Sequence, residues 1–156
     1  MTPRFSIGVI WQDDDLVEIE AAACTEHFSG LTQVYTTYNE LRKLRASLVG
    51  FPTSTASRVA FSAGEADSYS FINVDFYCFD YAGHAAAQIT IESKVGTVSR
   101  PEQKHRVRLE MQFEPSALDE FSSALNRLIS IQAGNAILKG IAEYTCNIET
   151  KTRLLQ

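Results

Sequence analysis

The chain has 156 residues, 45% of them hydrophobic and 21% charged, and its 19 acidic and 14 basic side chains leave a formal net charge of -5. A chain of this length is expected to form one domain that buries about two thirds of its unfolded surface, with no metal or disulfide staple needed. The composition is not that of a disordered tail. The apolar runs fall short of the roughly 18 residues of a membrane helix, and the N-terminus lacks the basic-then-apolar order of a secretory signal, so a cytoplasmic setting is expected.

The first elements alternate with the period of a strand. Phe5, Ile7, Val9 and Trp11 form one apolar set, and Val17, Ile19, Ala21 and Ala23 form a second, with the turn "QDDD" between them. A third strand is expected over Gly30 to Thr36. The period then lengthens: Tyr38, Leu41, Leu44 and Leu48 recur at helical spacing, Thr37 and Glu40 fit a capping box, and Gly50 with Pro52 marks the stop. A short strand follows at Arg58 to Ser62.

Ser70 to Phe79 and Ala85 to Glu92 read as a hairpin, with "DYAGH" at its turn. Asp at the first and Gly at the fourth position suit a type I turn. Placing both apolar sets on one face calls for a loop over Tyr81 to His84, with Val74 opposite Ile91, Phe76 opposite Ile89, Cys78 opposite Ala87 and Asp80 opposite Ala85. Arg106 to Phe113 alternates cleanly, with Val107, Leu109, Met111 and Phe113 on one side. Pro115 opens a second helix striped by Leu118, Phe121, Leu125 and Leu128; Ser116 and Asp119 resemble a capping box, and Gly134 suits its end. The tail "AILKGIAEYTCNIETKT" reads as a short helix and then a strand over Tyr144 to Thr150. No internal repeat is visible. The expected fold is α+β: a mainly antiparallel sheet of about six to eight strands, with two helices packed on one face.

No catalytic or cofactor signature stands out. His27, His84 and His105 lack a metal-ligand spacing, and Cys24, Cys78 and Cys146 form an odd, scattered set expected as buried reduced thiols. "FSAGEADS" has one glycine and no cation to hold a phosphate. The basic run of Lys94, Arg100, Lys104, Arg106 and Arg108 has no interleaved aromatics, which argues for a solvated loop rather than a nucleic-acid surface, with Glu92 and Glu110 placed to neutralise part of it.

Two surfaces remain as candidates. Asp13, Asp14, Asp15, Glu18 and Glu20 concentrate negative charge at the first hairpin without the alternating ligands and glycine of a calcium loop. They read as a solvated tip or as a contact surface for a basic partner. Asp75, Tyr77, Asp80 and His84 lie close in sequence and would line a pocket on the sheet face in a ligand-binding or enzymatic reading; the commoner fate of Asp75 is the polar face of its strand. A homodimer joined through a sheet edge is a third reading.

The succession "FSGLTQVYTTYNELRKLRASLVGFP", "INVDFYCFDYAGHAAAQITIE" and "VRLEMQFEPSALDEFSSALNRL" is similar to the WapI-type immunity family of small bacterial proteins. The resemblance runs from about Phe28 to Leu128 and leaves out the first hairpin and the tail beyond Gly134. It implies a non-enzymatic inhibitor of a cognate toxin, with no cofactor. A basic, nuclease-like toxin would suit the acidic chain.

Overall fold

Alternation of apolar and polar side chains produces eight strands, and the two helical stripes produce two helices, in a computed structural model that describes residues 2–94 and 100–142. In chain order these are β1 (Arg4–Gln12), β2 (Val17–Cys24), β3 (Ser29–Thr36), α1 (Tyr38–Leu48), β4 (Arg58–Gly64), β5 (Ser70–Cys78), β6 (Ala85–Lys94), β7 (Lys104–Phe113), α2 (Pro115–Ile131) and β8 (Asn135–Lys139). The fold is α+β and antiparallel as expected, but the strands form two sheets of four rather than one. Sheet A has the order β3-β2-β1-β8 and sheet B the order β4-β5-β6-β7.

A repeat invisible in the residues appears in the topology. The order strand, strand, strand, helix, strand runs once from β1 to β4 and again from β5 to β8. Each half gives its last strand to the other: β4 pairs with β5, and β8 pairs with β1. The expected short helix at "AILK" is therefore the edge strand β8. Five residues with Ala136 and Leu138 inward satisfy a strand as readily as a helical turn, and pairing with β1 decides between them. The expected strand over Tyr144 to Thr150 lies outside the described residues.

Both sheets contribute their apolar faces to one core, which also takes Leu41, Leu44 and Leu48 of α1 and Leu118, Phe121, Leu125 and Leu128 of α2. Phe121 meets Phe5 at 6.0 Å between ring centroids, and Phe76 is flanked by Phe51 and Phe113 at 6.5 and 6.1 Å. Of these rings Phe5, Phe76 and Phe121 are fully buried, and each contributes roughly 1.5–3 kcal/mol by leaving water. β3 lies across the inner face of sheet B. A Cβ at Gly30 would come within 2.3 Å of Val107 Cγ1, and one at Gly64 within 2.8 Å of Val34 Cγ2. Glycine at these crossings lets the two layers meet.

The helix ends follow their local chemistry. Thr37 Oγ1 accepts a hydrogen bond from the Glu40 amide at 3.1 Å, as the capping pattern predicts. For α2 the expected Ser116–Asp119 box does not form: Glu114 is the cap residue, without a side-chain bond, and Pro115 occupies the first turn. The helix closes on Gln132 in the left-handed region (φ 60°), ahead of Gly134, with the Gln132 amide donating to the Leu128 carbonyl at 2.8 Å.

The β5–β6 register departs from the expected one by two residues. Ile72 faces Ile91, Val74 faces Ile89, Phe76 faces Ala87, and the ladder ends at Cys78 opposite Ala85, so Asp80 stands opposite neither Ala85 nor His84. A shift of two keeps both apolar sets on the same face, so burial alone cannot choose between the registers. The turn chooses. Asp80 Oδ1 accepts from the amides of Ala82 and His84, both at 3.0 Å, the Gly83 amide donates to the Asp80 carbonyl at 3.4 Å, and Gly83 takes φ +85°.

Candidate functional site

The first hairpin brings the acidic cluster and two exposed aromatics together. Strand β1 carries a bulge at Ile10: Val9 faces Ile19, but Trp11 faces Glu18. One extra residue reverses the side-chain parity, so Trp11 leaves the buried set it shares in sequence with Phe5 and Ile7 and emerges on the outer face of sheet A, 49% exposed. There it meets Tyr35, 53% exposed, edge-on at 6.1 Å between centroids. Glu18 sits between them in the ladder, and Tyr35 donates a hydrogen bond to it, which raises the Tyr35 phenol above its ordinary range. The sequence reading named the carboxylates and missed both rings, because the parity of Trp11 depends on the bulge.

The five carboxylates divide into roles. Asp13 builds the turn: its Oδ1 accepts from the amides of Leu16 at 2.7 Å and Asp15 at 2.8 Å, and these bonds hold its carboxyl below the usual range. Asp14 and Asp15 project from the tip into solvent. Glu18 and Glu20 stand on the outer face of β2, where Glu20 accepts from Gln33 Nε2 at 3.4 Å. Gln12, beside the turn, accepts from the Tyr38 hydroxyl, tying the tip end of the hairpin to the start of α1. The result is a braced arm with an aromatic pair on one side and carboxylates at its tip and along its flank.

Asp75, Tyr77, Asp80 and His84 do not converge. Asp75 and Tyr77 are half-buried on the outer face of sheet B, where Asp75 Oδ2 accepts from Asn73 Nδ2 at 2.9 Å and Asn73 Oδ1 accepts from Ser62 at 2.7 Å. Tyr77 donates to Glu110 beneath the Arg58 guanidinium, which lies 5.5 Å from the ring centroid. Desolvation, then the bond to Glu110, pushes the Tyr77 phenol up to about 12. Asp80 and His84 instead close the β5–β6 turn, with His84 Nδ1 at 2.6 Å from Asp80 Oδ2 and the His84 ring stacked on Phe79. The clefts at Cys24–Leu31, Ser93–Val107 and Gly134–Asn135 are lined by other residues.

Two members of the basic run, Lys104 and Arg106, are neutralised. Lys104 and Arg106 share Glu92 Oε1, at 2.5 and 2.9 Å, and both also reach Asp67 Oδ1, at 2.5 and 3.3 Å. Burial raises the Glu92 carboxyl, but the bonds from Lys104 and Arg106 outweigh it and leave the group below its usual range. Cys24 and Cys78 are free thiols, half-buried rather than buried; Cys146 lies outside the described residues. Among the described residues no three His, Cys, Asp or Glu side chains group as metal ligands, and no helix is long and apolar enough to cross a membrane. Compared with protein-family models, curated proteins and solved structures, the chain matches none.

Proposed function

We propose that the chain is a non-enzymatic protein-binding module of immunity type, which neutralises a cognate, basic, nuclease-like toxin in the cytoplasm by docking its first hairpin against it. One observation carries the reading: the bulge at Ile10 turns Trp11 outward to pair with Tyr35, beside Glu18 and above the Asp13–Asp15 tip. Exposed aromatics that supply contact area at little entropic cost are the usual anchors of protein interfaces, and a rim of fixed charge speeds encounter with an opposite partner. The net charge of -5 and the resemblance to the WapI-type immunity family support the toxin as that partner.

Co-expression with the toxin domain encoded beside the chain tests this. The expected result is a co-purifying complex and protection of the host cell. Trp11→Ala should weaken the complex at least about tenfold, the range of an aromatic hot spot. Asp14→Asn with Asp15→Asn should slow association and flatten its salt dependence. A toxin that neither binds nor loses toxicity in the presence of the chain would sink the proposal.

A further inference from the structure

The outer face of sheet A, whose acidic end carries Glu18 and the Trp11–Tyr35 pair of the hairpin reading, has a charge pattern that runs on beyond them to Arg4 and Lys139. Its rows follow from the register: Ser29, Cys24, Arg4 and Lys139 form one; Leu31, Ala22, Ser6 and Ile137 the next; Gln33, Glu20, Gly8 and Asn135 the third. The middle row is apolar or small, with Leu31 51% and Ile137 39% exposed. Arg4 and Lys139 stand directly opposite one another, a like-charge pair that is unfavourable in an isolated sheet, and neither has a carboxylate partner among the described residues. Glu20, and Glu18 beyond it, carry the opposite charge at the other end and have no cation partner among the described residues. On either side of Arg4 the surface is hollowed. One shallow depression of about 340 Å³ is lined by Arg4, Ala22, Cys24 and Leu31, and another by Pro3, Arg4, Ile137 and Lys139.

We infer that this face docks on a second copy of the chain, about a two-fold axis lying between the two faces and running across the strands over the Leu31–Ala22–Ser6–Ile137 row. That operation lays the apolar row on itself and reverses the strand direction. The Arg4–Lys139 end of each copy then meets the Glu20 end of the other. Cys24, which lines the first depression, comes over Glu20 of the other copy, and Arg4 comes over Gly8, where no side chain obstructs it. The interface is isologous, and small residues at Ser6, Gly8 and Ala22 keep it flat enough for stacking at about 10 Å. Strand spacing and rise make the face roughly 20 Å by 25 Å, near 500 Å² per copy, at the low end of specific interfaces. The dimer is therefore weak and concentration-dependent.

Sedimentation velocity over a concentration series, from low micromolar to near millimolar, is the test. The wild-type chain should shift from monomer to dimer and back again in high salt. Arg4→Glu with Lys139→Glu makes the face wholly acidic and Glu18→Lys with Glu20→Lys makes it wholly basic, and each should raise the dissociation constant at least about tenfold. An equimolar mixture of the two variants should form a heterodimer near wild-type affinity, because both charge pairings are regenerated. Leu31→Lys, at an exposed position, should abolish the dimer while leaving the circular dichroism unchanged. A wild-type chain monomeric throughout, variants that dimerise undiminished, or a mixture that stays monomeric would each overturn the inference. Asp14 and Asp15 lie off this face, so their Asn variants affect toxin capture alone, and the two proposals fail separately.

Discussion

Substituting Gly30 by alanine tests the crossing of the two sheets. Gly30 lies outside the left-handed region, so alanine meets no backbone penalty there and gains about 0.4–1 kcal/mol by restricting the unfolded chain. Against that gain, the new methyl would lie 2.3 Å from Val107 Cγ1 and 3.5 Å from its Cβ. Valine is stiff at χ1 and held on β7, so the contact must be relieved by moving a strand, at about 1–3 kcal/mol. The net expectation is a loss of roughly 1–2 kcal/mol, or several degrees in Tm at about 2–4 °C per kcal/mol for a chain of this size. Val107→Ala alone, at a half-buried position, should cost roughly 1 kcal/mol. The double variant should cost no more than Val107→Ala does, a coupling of at least about 1 kcal/mol in a urea-unfolding cycle. Additive costs, or a neutral Gly30→Ala, would show that β3 does not lie against β7 at this point.

Glu92, 2% exposed, should cost about 1–2 kcal/mol when changed to glutamine, because Lys104 and Arg106 keep only Asp67 as a carboxylate partner. Its folded carboxyl lies below the ordinary range, so its contribution is full above the unfolded pKa of about 4.3 and is lost as pH falls through the folded value. Wild type and Glu92→Gln should therefore differ in urea midpoint at neutral pH and converge in acid; a constant gap would refute the linkage. For His84 the sign is reversed, since the hydrogen bond and charge of Asp80 raise its pKa. The pair's contribution is present below about pH 6.5 and is lost as pH rises through the folded value. An NMR titration should place His84 above the ordinary histidine value, and Asp80→Asn should bring it down; an unmoved midpoint would contradict the contact.

The strands and α1 were legible because periods of two and 3.6 residues are local properties, and Thr37 and Pro115 punctuate the helices where the chain actually turns. What escaped was set over longer distances. That β4 crosses to β5 and β8 returns to β1 depends on which edges remain open after the two meanders form, and no residue of "RVAFSAG" or "NAILK" encodes it alone. The β5–β6 register was narrowed to its parity by burial and completed by Asp80 and Gly83, whose turn could be read but not placed. At the candidate site the carboxylates were visible as a run, whereas Trp11 read as a core residue until the extra residue at Ile10 reversed its side.

The two outer faces, built by the same alternation in one chain, dispose of their charge in opposite ways. On sheet B the polar groups answer one another within the molecule: Arg108 donates to Gln88, Tyr77 to Glu110, Asn73 to Asp75, and Glu92 holds Lys104 and Arg106. A face so satisfied offers a partner little, since any new contact must first break an internal one. On sheet A the cations at Arg4 and Lys139 are separated from Glu18 and Glu20 by an apolar row, and the edge-on aromatic pair lies at the acidic end. Segregated charge costs the isolated chain a little stability and becomes favourable only when a complementary surface arrives. That asymmetry, more than the acidity of the whole chain, is why both proposals are placed on sheet A rather than sheet B.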